Sequence, residues 1–156
     1  MLASWDLTSQ PGTETSAPAT TTAPGVTGAT LGRSVGLTPA AGTGSISSTN
    51  WPTSAQLDTT KYYTLTMTPP SGCKISVTMM SIDALASGTG PANGSVATSA
   101  DAFAHTTTIS TSAPSQPALI GMLPGMIEVR VYGFGASATT GTLRIQNTLS
   151  VTGTLQ

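Results

Sequence analysis

Charge is scarce in this chain: five Lys or Arg and six Asp or Glu stand in 156 residues, 7% of the total, against roughly a quarter in an ordinary globular domain. The formal net charge is −1, and Arg33, Lys61, Lys74, Arg130 and Arg144 are spread singly. Phosphate backbones and anionic lipid surfaces attract clustered cations, so nucleic acid and membrane surface are not expected partners. Cysteine is reduced to Cys73, which rules out an intrachain disulfide and a thiolate metal cage; a small buried hydrophobe is the expectation there. His105 is the only histidine, and one His with one Cys cannot supply the converging ligands that zinc requires. No apolar run reaches the 18 or so residues of a spanning helix, so no membrane insertion is expected. Met1 to Asp6 lacks the basic region and apolar run of a signal peptide; the expectation is a mature chain with an added Met1.

What the chain has instead is hydroxyl. Thirty threonines and nineteen serines must do the solvating that charges do elsewhere, which is the composition expected of a secreted or cell-surface β-protein. Threonine favours strand, and 17 Gly with 11 Pro punctuate short elements. The length suits one domain over residues 1–156.

Period-two alternation recurs in short segments. Over Tyr62 to Thr68, Tyr63, Leu65 and Met67 share one face and Thr64, Thr66 and Thr68 the other, before Pro69-Pro70-Ser71-Gly72 breaks the run. Ile75, Val77 and Met79 then alternate with Ser76 and Thr78, and the phase shifts at Met80-Ser81-Ile82 as at a bulge. These two segments read as an antiparallel hairpin. Ile127, Val129 and Val131 alternate with Glu128, Arg130 and Tyr132, followed by a turn over 133–141, by Leu143 and Ile145, and by a last strand holding Leu149 and Val151. Weaker strands are expected at 4–7, 29–37, 45–51, 94–99 and 118–123. The Pro/Thr-rich stretch 9–28 reads as a long loop inside the domain. Eight or nine such strands predict an all-β, two-sheet antiparallel sandwich, jelly-roll-like.

Catalytic constellations are thin. No G-x-S-x-G elbow accompanies His105, and no spacing among Asp6, Glu14, Asp58, Asp83, Asp101 and Glu128 singles out the carboxylate pair of a glycosidase. Calcium asks less, because backbone carbonyls can complete a site around one or two acids; Asp83 and Asp101 are the candidate ligands, with strand-end capping as the other reading. Ser87-Gly88-Thr89-Gly90-Pro91 lacks the lysine and helix of a phosphate loop and reads as a turn. Asn93-Gly94-Ser95 matches a glycosylation acceptor, but its Asn-Gly pair is also a hairpin-turn signal, which is favoured. Trp51, Tyr62, Tyr132 and Phe134 are the residues a sugar-stacking platform would use, although with two Trp, three Tyr and two Phe in all the core competes for them. Glu128 and Arg130, two apart, read as a surface ion pair.

The strings Tyr62-Tyr63-Thr64-Leu65-Thr66-Met67-Thr68-Pro69, Ile75 to Asp83, Ser87 to Pro91, Val129-Arg130-Val131-Tyr132-Gly133-Phe134-Gly135-Ala136 and Gly141 to Asn147 together resemble a β-sandwich module of secreted bacterial proteins. That module is common in proteins bearing PEP-CTERM-type sorting tails or lying beside lamin-tail-like domains. Ser4 to Leu7 and Leu31 to Leu37 fit the same pattern, so the likeness covers almost the whole chain. The resemblance implies an exported jelly-roll-like sandwich, usually without assigned activity. Where such modules carry Arg, this chain has Ala86 and Ala97; where they carry an aromatic, it has Gly94 and Leu143; where they carry Asp, it has Gln146.

These readings converge on a non-enzymatic extracellular structural module, bacterial by its resemblance, that meets itself or other cell-surface proteins through strand edges. With so little charge to protect an edge, strand addition is expected, with Trp5, Asp6 and Leu7 as the candidate assembly segment. The alternative is a carbohydrate-binding module, calcium-stabilised, that takes a polysaccharide.

Overall fold

Alternation of apolar and hydroxyl residues becomes strand over about half of the chain. The computed structural model describes residues 1–156. It contains β1 Ala3–Asp6, β2 Pro11–Gly12, β3 Ser16–Pro18, β4 Thr21–Thr22, β5 Thr27–Arg33, β6 Thr38–Pro39, β7 Ser45–Thr49, β8 Tyr62–Thr68, β9 Ile75–Ala86, β10 Pro91–Thr98, β11 Thr107–Ile109, β12 Pro114–Ser115, β13 Ala118–Leu123, β14 Ile127–Ala136 and β15 Leu143–Leu155. One 3-10 turn, Ser99–Asp101, is the sole helical element, and no helix is long and apolar enough to cross a membrane.

The strands form two sheets. One has nine strands, built on β12-β9-β15-β1-β4 with β13 added to β9 and with β7, flanked by β2 and β6, added to β15; the other has six, in the order β11-β10-β14-β8-β5-β3. All pairings are antiparallel except β2 with β7. The sheets close on a single cluster of 30 buried residues, to which β8 gives Tyr63, Leu65 and Met67 and β14 gives Ile127, Val129 and Val131. Burying a Val, Leu or Ile side chain is worth roughly 1.5–3 kcal/mol, and this interior is where the expected all-β sandwich draws its stability.

Several local expectations change in three dimensions. Tyr62–Thr68 and Ile75–Ala86 do not form a hairpin: β8 pairs with β5 and β14, whereas β9 pairs with β15, β13 and β12. Both strands have one apolar face, and the connection through Pro69 to Lys74 lets those faces oppose each other across the core rather than lie side by side. The bulge comes earlier than the sequence phase suggests. Thr152 pairs with Met79 and Gly153 with Val77, so Thr78 is the extra residue, and Val77 and Met80 are both buried. Asn93 and Gly94 lie inside β10, opposite Phe134 and Gly133, and form no turn; a Cβ on Gly94 would meet Ile109. The strand containing Val131 runs on to Ala136, and the last two segments are one strand, β15, interrupted at Asn147, whose φ is 59°.

The stretch 9–28 is no free loop. It carries β2, β3 and β4 and crosses from the nine-stranded sheet to the six-stranded one and back, burying Ala17 and Val26. Arg33 holds it down: its guanidinium donates to the carbonyls of Gly12 (3.1 Å), Glu14 (2.6 Å) and Ser47 (3.0 Å).

Edge protection is achieved without charge. The edge strands β2, β4, β6 and β12 have two residues each and β3 and β11 three, and prolines stand in β2, β3, β6 and β12. Short, proline-bearing edges offer little to an incoming strand. The six-residue β13 is the exception.

Candidate functional site

The outer face of the six-stranded sheet collects four of the chain's aromatic side chains. Alternation along β14 turns Ile127, Val129 and Val131 inward and Glu128, Arg130, Tyr132 and Phe134 outward. Tyr62 on β8 lies opposite Tyr132, and Thr64 opposite Arg130. The Tyr62 and Tyr132 rings meet edge to face at 5.8 Å.

Arg130 organises this surface. Its guanidinium carbon stands 4.1 Å from the Tyr62 ring centroid and 3.8 Å from that of Phe103, and its Nε donates to Glu128 Oε1 at 2.8 Å. Thr64 Oγ1 donates to the same oxygen at 3.0 Å. The expected Glu128–Arg130 pair is therefore present, with both side chains about four-fifths buried, and it is set between two aromatic rings. Stacking of this kind contributes about 0.5–1 kcal/mol at exposed sites and about 2 when desolvated.

Phe103 gets there through unusual backbone. Ala102 and Phe103 both have positive φ, 57° and 62°, a conformation that costs a non-glycine residue roughly 1–2 kcal/mol. Asp101, at the end of the 3-10 turn, accepts from the His105 backbone N–H at 3.1 Å and lies 2.8 Å from its Nδ1. The hydrogen bond from His105 holds the Asp101 carboxyl below its ordinary range. Sequence reasoning singled out Asp101 and His105 but not the part Phe103 plays; two successive left-handed residues in Asp-Ala-Phe-Ala leave no readable signal.

Next to this cluster Ser34, Val35, Thr59, Thr60, Tyr62 and Thr64 line an open groove. Arg33 also lines it, and its exposed surface is more apolar than polar, with Val35 and Tyr62 among its walls.

The other sequence candidates are dispersed. Trp51 is fully buried, donates its indole N–H to Ser48 O at 2.8 Å and meets Tyr63 edge to face at 5.4 Å. It is a core residue and offers no stacking face to a sugar. Tyr132 is 2% exposed, so of the proposed platform only Tyr62 and Phe134 reach solvent. Asp83 accepts from Gln146 Nε2 at 3.1 Å and Asn147 Nδ2 at 2.6 Å; it lies on β9, in the other sheet from the turn that holds Asp101. The two acids are not brought together, and no group of three or more His, Cys, Asp or Glu converges anywhere.

Comparison with protein-family models, with curated proteins and with solved structures returned no match.

β4 covers β1 only at Ala3 and Ser4; beyond them Trp5 and Leu7 are fully buried and the Asp6 N–H donates to Thr20 Oγ1 at 2.9 Å, so of Trp5-Asp6-Leu7 only the Asp6 side chain is exposed. The exposed edge is β13, where Ile120 is 86% and Met122 44% exposed, with Met126 (53%) just beyond. Those residues lie in a stretch with no Asp, Glu, Lys or Arg from 102 to 127.

Proposed function

We propose that this protein is a non-enzymatic extracellular structural module, of the kind that the likeness to sorting-tail-bearing secreted proteins suggests, and that it acts by contact with further copies of itself or with other surface proteins. One observation carries the reading: the only long strand edge coincides with the exposed apolar residues Ile120, Met122 and Met126 in an uncharged segment. Contiguous apolar surface beside an unpaired edge favours association. Every other edge is short and most carry proline, so association is directed to one corner. The hydroxyl-solvated, nearly uncharged surface supports the extracellular placement. No resident cofactor is assigned, calcium included.

The test is the size distribution of the purified protein by light scattering, with negative-stain microscopy of any large fraction. Concentration-dependent assembly supports the reading; a monomer at all concentrations, salts and pH values overturns self-association.

A second reading, polysaccharide binding, is favoured by the open groove in which the Tyr62 ring stands beside the hydroxyls of Ser34, Thr59, Thr60 and Thr64. It predicts saturable glycan binding that is lost on Tyr62→Ala, and a flat glycan array, with and without calcium, removes it.

A further inference from the structure

We infer that β13 is the interface for a second copy of this chain, joined as an antiparallel strand about a two-fold axis through Gly121, so that Ile120 of each copy lies opposite Met122 of the other. The inference rests on the self-association proposed above and adds its site, partner and register.

The direction of the backbone groups comes first. Lys74 and Gln156 exchange both backbone hydrogen bonds, at 2.6 and 2.9 Å. Since antiparallel ladders alternate bonded and non-bonded pairs, Ser76 also faces β15, while Ile75 and Val77 face β13. Their partners there are Leu123 and Gly121. The N–H and C=O groups of Ile120 and Met122 therefore point away from β9. The side chains agree: Leu119 is buried and Ile120 and Met122 are exposed.

That outward row is partly closed at one end. The carbonyls of Ala118 and Ile120 accept from the hydroxyls of Thr107 (3.3 Å) and Thr98 (3.0 Å) across the seam between the sheets. A carbonyl oxygen has two lone pairs, so Ile120 O still has capacity, and the groups of Ile120 N–H, Met122 N–H and Met122 C=O have no strand beside them.

A second β13 complements this row. Pairing Ile120 with Met122 of the second copy in both directions supplies four backbone bonds and places the two apolar pairs about 5.5 Å apart by Cα. Cross-strand apolar pairs of this type stabilise a sheet. A two-fold contact brings like against like, which a charged edge resists; this segment has no charge to oppose it. Gly121 meets its symmetry mate at the axis, and its own inner face is already closed, since a Cβ there would meet Ala100.

The test uses the full chain with Cys73→Ser. Ile120→Cys and Met122→Cys variants are made separately, mixed, and oxidised. A disulfide-linked pair between the two different variants, in excess over either self-pair, is the expected result. Met122→Lys is expected to abolish the dimer at concentrations where the parent protein associates, with unchanged circular dichroism and, at dilutions where both are monomeric, an unchanged Tm, whereas Val35→Lys, at an exposed apolar residue elsewhere, leaves it intact. Assembly that persists in Met122→Lys, or equal cross-linking in all combinations, overturns this interface while leaving self-association standing. A parent protein that stays monomeric overturns both.

Discussion

The guanidinium of Arg130 lies 3.8 Å from the centroid of the Phe103 ring, and Phe103 reaches it from a left-handed backbone. The contact fastens the connection between β10 and β11 to the outer face of the six-stranded sheet, because the same guanidinium also lies over Tyr62 and donates to Glu128.

Two substitutions separate the stacking from the strain. Arg130→Ala is expected to destabilise the protein by about 1–3 kcal/mol, through loss of two stacked faces and of the partner of a largely buried carboxylate. Ala102→Gly should act in the opposite direction, by up to about 1 kcal/mol, since glycine occupies the left-handed region without the Cβ penalty. Urea denaturation of both variants measures the pair, and faster amide exchange over 99–106 in Arg130→Ala localises the effect.

Arg33 is expected to be the pin of the N-terminal crossing segment. Its three bonds to Gly12, Glu14 and Ser47 carbonyls are made by a charged donor, each worth roughly 1.5–3 kcal/mol. Arg33→Ala should raise protease cleavage and hydrogen exchange over residues 10–19 well before global unfolding; equal protection in variant and parent would reject the assignment.

Trp51→Ala should behave as a core variant. Removing a fully buried indole costs roughly 3–5 kcal/mol, and leaves Ser48 O and the edge of Tyr63 without their partner. A large drop in the urea midpoint is expected, whereas a near-normal midpoint with altered ligand binding would place the indole at the surface.

The pH dependence has two arms. Asp6, Asp58 and Asp101 are held below the ordinary carboxylate range by hydrogen bonds from Thr8, Thr60 and His105. A depressed folded pKa contributes stability above the unfolded value and loses it as pH falls through the folded one, so this contribution should fade only below about pH 4. Burial pushes the Tyr63 phenol in the opposite sense, well above its ordinary value, with its hydroxyl donating to Leu143 O at 2.6 Å. That contribution is complete below the unfolded pKa of about 10 and is lost as pH rises above it. Unfolding monitored across pH 2–12 should give a flat centre with both limbs, and Tyr63→Phe should weaken the alkaline limb.

Much of the strand content was legible in order of residues. Tyr63, Leu65 and Met67 against three threonines, and Ile127, Val129 and Val131 against Glu128, Arg130 and Tyr132, are alternations whose period alone turns one face to a core. The turn at Ser87 to Pro91 is equally local; it closes through Gly90 N–H to Ser87 O at 2.9 Å. The pairing of β8 and β9 was not legible, because a hairpin and an arch between sheets place the same faces inward and differ only in partners distant in sequence. Nor was the role of Trp51, whose ring sits beside Tyr63 only once β7 and β8 are stacked.

By itself the sequence determined an all-β chain, poor in charge and reactive groups, with strands marked by two-residue periodicity and breaks marked by Pro and Gly. Tertiary structure alone decided which sheet each strand joins, that Trp5 and Leu7 are buried while Ile120 and Met122 are exposed, and that Phe103 meets Arg130. The physical reason is that alternation reports burial residue by residue, whereas pairing and edge exposure depend on contacts between segments far apart along the chain.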